Sequence, residues 1–408
     1  MRVCVIGSGG REHALAVALR RTADVVVTPG NPGIPGSTPD APAQIDADLY
    51  VIGPEIPLVA GLADELRSAG KLVFGPGADG ARLEGSKVWM KEVLRAAGVP
   101  TAAYGAFTDV EPALAFLRTL PGPWVVKTDG LAAGKGVLVT GSFDHAAADV
   151  VAKLSGVAFG DAGRQVVIEE WLDGPELSLQ CVCDGRRAVP LAPAQDFKRL
   201  SDGDAGPNTG GMGAYSPVPF AGPDLVAEVL ERAVQPTLAT LTARGVDYRG
   251  VLYAGIMLTS NGPKMLEYNV RFGDPEAQAV LPRSTGDLAA LLAEAAAGRI
   301  ESEPQFDDRA AVTVVLATGG YPLDPRTGDV IEGLEKADAL PDVTVFRAGV
   351  DRDADGAWIT AGGRVLDVTG TGADVATARA TAYDAVAAIS WPGMQYRTDI
   401  AEIVHSAS

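Results

Sequence analysis

Short apolar runs alternate with amphipathic stretches of helical period along the first hundred residues. The runs have the length of buried strands, and the stretches between them repeat apolar positions every three or four residues. Strands that alternate with helices in this way pair in parallel, with each helix crossing over the sheet. The pattern predicts strands at 2–6, 25–28, 49–52 and 72–74, and helices at 11–21, 58–69 and 86–97.

The rest of the chain divides into two further regions with a different pattern. In the second region we expect helices at 110–120, 143–154 and 225–243, and strands at 124–127, 136–140, 166–170, 176–183, 251–259 and 264–268. In the third region we expect strands at 311–316, 343–348 and 364–369, and a helix at 374–389. Segment 196–219 is rich in glycine, proline and asparagine and has little periodicity, which predicts a long functional loop.

Composition narrows the possible classes of protein. The 408 residues suffice for two or three domains, each with its own core. The formal net charge of −18 argues against a nucleic-acid or membrane-surface binder, because both need a cationic face. Three cysteines are too few for a disulfide framework, and three scattered histidines make a zinc site improbable. Without a signal-peptide pattern or an apolar run of transmembrane length, we expect a cytoplasmic protein.

The sequence IGSGGREHAL places a glycine-rich turn between the first strand and the first helix. Such a turn directs backbone N–H groups and the positive end of a helix at a ligand, typically a phosphate. A dinucleotide-binding fingerprint has a third glycine where Glu12 stands, and no acidic residue ends the second strand. The turn favours a phosphate or phosphosugar site, and a purely structural turn is the alternative.

A second glycine-rich turn, KTDGLAAGKGV, joins two predicted strands and carries Lys127 and Lys135. It is not a Walker loop, because Gly136 rather than serine or threonine follows Lys135, and a strand rather than a helix comes next. The backbone N–H groups of such a turn can contact nucleotide phosphates, to which the lysines add positive charge. An ordinary glycine-rich hairpin is the alternative.

The segment KMLEYNVRFGDPE carries the strongest local pattern. Glu267 and Asn269 are two apart in a predicted strand, so their oxygens face the same side. This pair suits Mg²⁺, which prefers hard oxygen ligands and leaves part of its shell to phosphate and water. Arg271 is two residues further along and projects on the same side. Its positive charge could stabilise a phosphoryl group during transfer. A half-exposed polar strand is the alternative.

Together these segments resemble the ATP-grasp superfamily, and the whole chain resembles its glycinamide ribonucleotide synthetases (phosphoribosylamine–glycine ligases) of purine biosynthesis. The motifs are long, ordered and spread over almost the full length. They read VIGSGGREHAL, VIGPEIPLVAGL, FGPGADGARLEGSKVWMK, KTDGLAAGKGV, FGDAG, VIEEWLDGPE, QDFKRLSDGDAGPNTGGMGAYSP, LEYNVRFGDPE, TGGYP and RTGDVIEGL.

The resemblance implies a multidomain fold of α/β and α+β parts. An N-terminal parallel α/β (pre-ATP-grasp) domain would occupy 1–100, an ATP-grasp domain of two subdomains 101–310 with its lid at about 104–171, and a small C-terminal α+β domain 311–408. The implied activity is that of an ATP-dependent carbon–nitrogen ligase. Glycine and ATP would give glycyl phosphate, and 5-phosphoribosylamine would then displace phosphate to form glycinamide ribonucleotide. ATP, Mg²⁺ or Mn²⁺ and the two small substrates would be the partners of a monomer or weak homodimer.

Carried over position by position, the resemblance also implies a role for each matching residue. The catalytic residues would be Arg271, Lys127 and Asp196. ATP would contact Lys87, Lys127, Gly134, Lys135, Gly136, Glu169, Leu172 and Glu176, with adenine at Glu169 and Leu172 and the ribose at Glu176. The substrates would contact Gly9, Gly10, Glu12, Glu55, Asp196, Gly210, Gly211 and Asp274, and the metal would bind Glu267 and Asn269.

The chain departs from the family pattern in two places. Ala254 and Gly255 stand where some relatives in the superfamily carry a further aspartate, so a third carboxylate ligand is not expected. Between residues 38 and 48 the family normally fits a strand and a helix. We predict that this chain lacks that crossover helix and has a trimmed first domain.

Other functions remain as alternatives. A different ATP-grasp enzyme, either a carboxylate–amine ligase or transformylase of purine metabolism or a biotin carboxylase, would share most of the chemistry. Segment 196–219 and NVRFGDPE favour the glycine ligase over these enzymes. Glu12 disfavours a nicotinamide-dependent oxidoreductase, and a non-catalytic binding module would be expected to lose the lysines or the Glu-x-Asn pair.

Overall fold

A parallel sheet forms the first layer of the computed structural model, which describes residues 1–131, 136–156 and 165–402. Its elements are β1 Arg2–Gly7, α1 Gly10–Leu19, β2 Asp24–Pro29, β3 Leu49–Ile52, α2 Glu55–Val59, α3 Leu62–Ser68, β4 Val73–Phe74 and α4 Ala78–Gly85. The strands pair in parallel in the order β2-β1-β3-β4, as the apolar pattern predicts. Alternate residues of β1 enter two different cores, so the sheet is buried on both faces.

Two details of this layer differ from a regular crossover pattern. Between β2 and β3 the chain forms only a 3₁₀ turn at Pro42–Gln44, which confirms the predicted absence of a crossover helix. The predicted single helix at 58–69 is wrong, because it is divided into α2 and α3. Gly61 separates the two helices with a left-handed φ of 90°, a conformation that glycine adopts without steric cost.

A second sheet occupies the part of the chain for which a lid is predicted. The elements from residue 87 to 170 are α5 Lys87–Ala97, β5 Tyr104–Phe107, α6 Val110–Leu117, β6 Trp124–Thr128, β7 Val137–Thr140, α7 Phe143–Leu154 and β8 Val166–Glu170. The four strands are antiparallel in the order β5-β8-β6-β7. Helices α6 and α7 bury a small separate core against this sheet.

The central sheet carries most of the polar motifs. The elements from residue 176 to 297 are β9 Glu176–Asp184, β10 Ala188–Pro190, β11 Gln195–Asp196, β12 Arg199–Ser201, β13 Ala205–Asn208, β14 Gly213–Ser216, α8 Pro223–Val229, α9 Gln235–Ala243, β15 Arg249–Thr259, β16 Gly262–Asn269, α10 Glu276–Val280 and α11 Leu288–Ala297. Strands pair antiparallel in the order β10-β9-β15-β16. Cys181 and Cys183 on β9 are buried free thiols, as expected from their spacing.

The last sheet combines strands from two distant parts of the sequence. Its remaining elements are β17 Ala310–Ala317, α12 Leu334–Asp338, β18 Val343–Arg347, β19 Val350–Arg352, β20 Trp358–Thr360, β21 Arg364–Gly372 and α13 Val375–Val386. The strand order is β11-β14-β17-β21-β18, with every neighbouring pair antiparallel. Strands β11 and β14 therefore extend the C-terminal sheet, although they precede it by about a hundred residues in sequence.

Segment 196–219 is not the aperiodic loop that its composition predicts. It contains the hairpin β12–β13 and the strand β14, and β14 is fully buried beside β17. The prediction failed because these strands are short and glycine-rich and become strands only by pairing with residues far away in sequence. Among the described residues, no helix is long and apolar enough to cross a membrane.

Candidate functional site

A cavity of about 1390 Å³ is lined by residues from the parts of the chain that form the four larger sheets. Pockets that hold one small ligand usually measure about 300–1,000 Å³, so this cavity has room for more than one. It brings together most of the residues singled out in the sequence. The lining includes Glu55, Lys87, Lys127, Gly136, Glu169, Leu172, Glu176, Asp196, Gly210, Glu267, Asn269, Arg271 and Asp274.

Four predicted substrate contacts, Gly9, Gly10, Glu12 and Gly211, are not part of the lining. A Cβ on Gly10 would lie 1.7 Å from Asp367 Oδ2, so this glycine serves close packing against β21. A Cβ on Gly211 would lie 2.4 Å from Pro275. Gly134 and Lys135 lie outside the described residues.

Glu12 turns away from the cavity and into the glycine-rich turn. Its side chain is buried, Oε2 accepts a hydrogen bond of 2.7 Å from Gly9 N, and Oε1 pairs with Arg11 Nε at 2.6 Å. The carboxylate thus caps the N-terminus of α1 from inside the protein. In this structure Glu12 binds within the turn, and its contact with substrate stays a prediction.

At the wall formed by the second sheet, the carboxylate of Glu169 lies between a lysine of that sheet and a lysine of α5. Lys127 Nζ lies 2.9 Å from Glu169 Oε2, and Lys91 Nζ lies 3.0 Å from Glu169 Oε1. Burial alone would lower the pKa of Lys127, but Glu169 together with Glu267 and Glu176 raises it, so this lysine is cationic. The side chain of Glu169 is engaged by lysines, which differs from the adenine contact that the resemblance implies.

Lys91 was missed in the sequence, although it stands one helical turn after Lys87 on α5. Residues four apart lie on the same face of a helix, and this spacing was the available signal.

The predicted metal ligands share one wall of the cavity. Glu267 and Asn269 lie on β16, opposite Gly255 and Tyr253 of β15. Burial by itself would raise the pKa of Glu267, but Lys198 and Lys127 outweigh it and hold this pKa below its ordinary value. An ionised carboxylate beside an amide oxygen is a donor set that fits Mg²⁺ or Mn²⁺, with the remaining positions left to phosphate and water.

Arg271 is held in the same wall by two carboxylates. Its Nη2 lies 2.9 Å from Glu84 Oε1, and its Nε lies 3.3 Å from Glu55 Oε2. Burial would lower the pKa of Arg271, but these two carboxylates raise it. The guanidinium is therefore a permanent and well-oriented cation.

Another lysine, Lys198, lies between Glu176, the predicted ribose contact, and Asp196, a predicted glycine contact. Its Nζ pairs with Glu176 and lies 3.3 Å from Asp196 Oδ1. Burial raises the pKa of Asp196 to about 7 despite this neighbouring cation. The motif QDFKRL contains both Asp196 and Lys198, but only the structure brings Glu176 to the same lysine.

The C-terminal sheet also reaches the cavity. Arg364 Nη2 lies 2.7 Å from Asp274 Oδ2, and Arg364 Nη1 donates to the carbonyl of Gly210 at 2.8 Å. Gly210 N donates to the hydroxyl of Tyr321 at 3.0 Å. Tyr321 belongs to the TGGYP motif, whose contribution to the site was not predicted. The cavity lining also contains apolar residues, among them Val125, Val139, Trp171, Leu172, Met257 and Leu266.

Comparison with known proteins gives a consistent assignment. Three family models match: phosphoribosylglycinamide synthetase N domain at residues 1–84, its ATP-grasp (A) domain at 85–277 and its C domain at 311–403. The chain is 47% identical to a phosphoribosylamine–glycine ligase of Brucella melitensis, over 98% of this chain and 97% of that protein. Identity to the enzyme of that name from Streptomyces coelicolor is 50%, over 98% and 99%.

Solved structures show the same relationship. The crystal structure of phosphoribosylamine–glycine ligase from Thermotoga maritima matches with a TM-score of 0.84 and 36% identity, over 98% of this chain and 100% of that one. A biotin carboxylase from Campylobacter jejuni matches with a TM-score of 0.71 at 14% identity, over 97% and 92%, which shows a common fold.

Proposed function

The chain belongs to the phosphoribosylglycinamide synthetase family, and from this membership we propose that it ligates glycine to 5-phosphoribosylamine with ATP. The products are glycinamide ribonucleotide, ADP and phosphate. The observation that carries the proposal is the convergence of Lys87, Lys127, Glu267 and Asn269 on one cavity. Cations for phosphate and oxygen ligands for a divalent metal thus meet in a single space.

In the first step a carboxylate oxygen of glycine attacks the γ-phosphorus of ATP, forming glycyl phosphate and releasing ADP. Lys87 and Lys127 hold the phosphates, and Arg271 stabilises the negative charge on the phosphoryl group in transfer. Mg²⁺ or Mn²⁺ bound by Glu267 and Asn269 supplies charge neutralisation at the phosphates. The apolar residues of the lining, Leu172 among them, accommodate the adenine ring.

In the second step the amine of phosphoribosylamine attacks the carbonyl carbon of glycyl phosphate. The C–N bond forms, phosphate leaves with the electrons of the C–O bond, and the amine loses a proton. Neither step uses a nucleophile from the protein, so positioning and electrostatics supply the catalysis. Asp196 and the loop at residues 208–213 are our candidates around glycine, with Glu55 and Asp274 around phosphoribosylamine.

The proposal is tested by measuring ADP release from ATP with each substrate present or omitted. We expect full release only when glycine and phosphoribosylamine are both present. Release that depends on bicarbonate or formate instead would identify a different ATP-grasp enzyme. Sedimentation of the same sample tests the prediction of a monomer or weak homodimer.

A further inference from the structure

Lys91 is fully buried in α5 and lies outside the cavity lining. Its Nζ donates to Thr101 Oγ1 at 2.7 Å and lies 3.0 Å from Glu169 Oε1. A buried ammonium is expensive to desolvate unless it is paired and hydrogen-bonded. Thr101 is itself engaged, because its hydroxyl donates to the carbonyl of Met265 at 2.6 Å. The surroundings of Lys91 are therefore arranged to hold one buried positive charge.

Glu169 lies between this buried ammonium and the cavity. Strand register places Glu169 directly opposite Val125, so Lys127, two residues further on, is its diagonal neighbour on the same face. One carboxylate oxygen contacts Lys91 and the other contacts Lys127. Of the two lysines, only Lys127 lines the cavity.

The charges of this triad have a direct consequence for an anionic ligand. Two ammonium groups and one carboxylate leave a net charge of +1, and Lys127 presents it to the cavity. Without Lys91, Glu169 would neutralise Lys127, and the wall would present no net charge to a phosphate. Burial lowers the pKa of Lys91 to about 8, although Glu169 opposes that shift, so the ammonium form dominates at neutral pH.

We propose that Lys91 is a positioning residue for nucleotide binding, which holds and neutralises Glu169 so that Lys127 keeps its charge for the phosphates. This inference rests on the proposed function, because it takes a nucleotide to be the ligand of that wall. Lys91 lies on α5, whereas Glu169 and Lys127 lie on β8 and β6, so the triad also sets how these strands meet the helix.

The test measures ADP binding to the full chain by calorimetry in Mg²⁺ buffer. Lys91→Met removes the charge at nearly constant volume, and we expect ADP affinity to fall about 10-fold or more, which corresponds to about 1.4 kcal/mol. The double variant Lys91→Met/Glu169→Gln restores the net charge of +1, and we expect its affinity to return to within about 3-fold of the original chain. This rescue separates a positioning role from lost packing, which the double variant would not repair.

Lys264→Met is the matched control. Lys264 also pairs with a glutamate of β8, at 3.1 Å from Glu170 Oε1, but it lies outside the cavity lining. Because its loss leaves the Lys91–Glu169–Lys127 triad intact, we expect ADP affinity within about 2-fold of the original chain.

Other results of the binding measurements would contradict the role proposed for Lys91. Unchanged affinity in Lys91→Met, or an equal loss in the single and double variants, overturns the inference. If Lys91→Met does not fold, Lys91→Gln decides it, because the amide can still donate to Thr101 Oγ1 but carries no charge. A loss of about 10-fold in the ADP affinity of Lys91→Gln supports the charge argument, and unchanged affinity overturns it. If the original chain itself binds no ADP, the proposed function fails, and the inference fails with it.

Discussion

Glu12 makes the glycine-rich turn after β1 different from a dinucleotide-binding turn. It replaces the third glycine of a dinucleotide fingerprint, and its side chain fills the space beside Gly7 and Gly53. A Cβ on Gly7 would lie 2.5 Å from Glu12 Cγ, and a Cβ on Gly53 would lie 2.1 Å from Glu12 Oε1. Only glycine fits at these two positions, because the side chain of Glu12 occupies the space that a Cβ would need. The Glu12 carboxylate accepts a hydrogen bond at the N-terminus of α1, where a dinucleotide-binding protein would bind a pyrophosphate.

We predict that Glu12→Gln lowers the free energy of unfolding by about 1–3 kcal/mol, because buried Arg11 loses its ionised partner. Urea denaturation measures this loss. The KM for phosphoribosylamine should stay within about 2-fold where the variant is folded. A raised KM without a loss of stability would show that Glu12 contacts substrate after all.

Glu267 is a predicted metal ligand, so we expect its substitution to affect activity rather than stability. We predict that Glu267→Gln lowers kcat at least about 100-fold and raises the Mg²⁺ concentration needed for half-maximal rate, because a metal site loses its anionic oxygen. ADP release as a function of Mg²⁺ concentration measures both effects. Thermal unfolding should show a folded variant, and retained activity at ordinary Mg²⁺ would contradict the metal role.

At the scale of elements, the hairpin β12–β13 depends on the end of the chain. Arg397 is buried, and its Nη1 donates to the carbonyl of Arg199 at 3.3 Å and to Asp204 Oδ1 at 2.6 Å. Gly203 N donates to Asp399 Oδ2 at 2.8 Å. Arg199, Asp204 and Asn208 of this hairpin line the cavity, so the C-terminal segment holds part of the site in place.

We predict that Arg397→Met lowers the free energy of unfolding by about 3–5 kcal/mol, because it leaves partly buried Asp399 without its ion pair. Amide hydrogen exchange should rise at residues 199–208, while exchange in β6 and β8 stays unchanged. Mass spectrometry of the exchanged peptides measures both regions. Unchanged exchange at residues 199–208 in Arg397→Met would show that the C-terminal segment does not hold the hairpin β12–β13 in place.

At the scale of the whole molecule, His13 joins the first and last sheets. Its Nδ1 accepts a hydrogen bond of 2.8 Å from Arg347 N, and its ring meets Phe346 edge-on at 5.6 Å. Burial, followed by the neighbouring Arg347, lowers the pKa of His13 to about 3. The contact between α1 and β18 therefore requires a neutral imidazole.

This requirement predicts a pH dependence of stability. An unfolded histidine titrates near 6.5, so between about pH 6.5 and 3 the unfolded chain binds one more proton at His13 than the folded chain does. Stability from this residue is thus present above pH 6.5 and is lost at about 1.4 kcal/mol per unit as pH falls.

In His13→Asn, whose Oδ1 can accept the same hydrogen bond, we expect lower stability at pH 7 because the ring packing is lost. We also expect the gap to the original chain to narrow between pH 6 and 4. Denaturation midpoints across this range measure the gap. His145→Asn, the same substitution at an exposed position of α7, is the control for the loss of a histidine that is not buried. Parallel curves for His13→Asn and the original chain would contradict the shifted pKa.

Much of the fold followed from local pattern, and the two failures have different physical causes. Helix α7 has the predicted bounds, and the hairpin around Asn261 forms as expected, because amphipathic period and turn residues are local signals. Strand β14 and the separation of α2 from α3 were missed. The first depends on a partner strand a hundred residues away, and the second on one glycine with a positive φ.

Sequence patterns alone predicted the residue types of the candidate site: lysines in glycine-rich segments, and a carboxylate–amide pair on one strand face with Arg271 beyond it. Alternation and motif spacing are properties of neighbouring residues, so they can be read along the chain. Which charges meet depends on the three-dimensional arrangement of the elements. This arrangement pairs Lys91 with Glu169, turns Glu12 inward and brings Arg364 to Asp274, because burial and electrostatic pairing depend on distances between elements that sequence order does not contain.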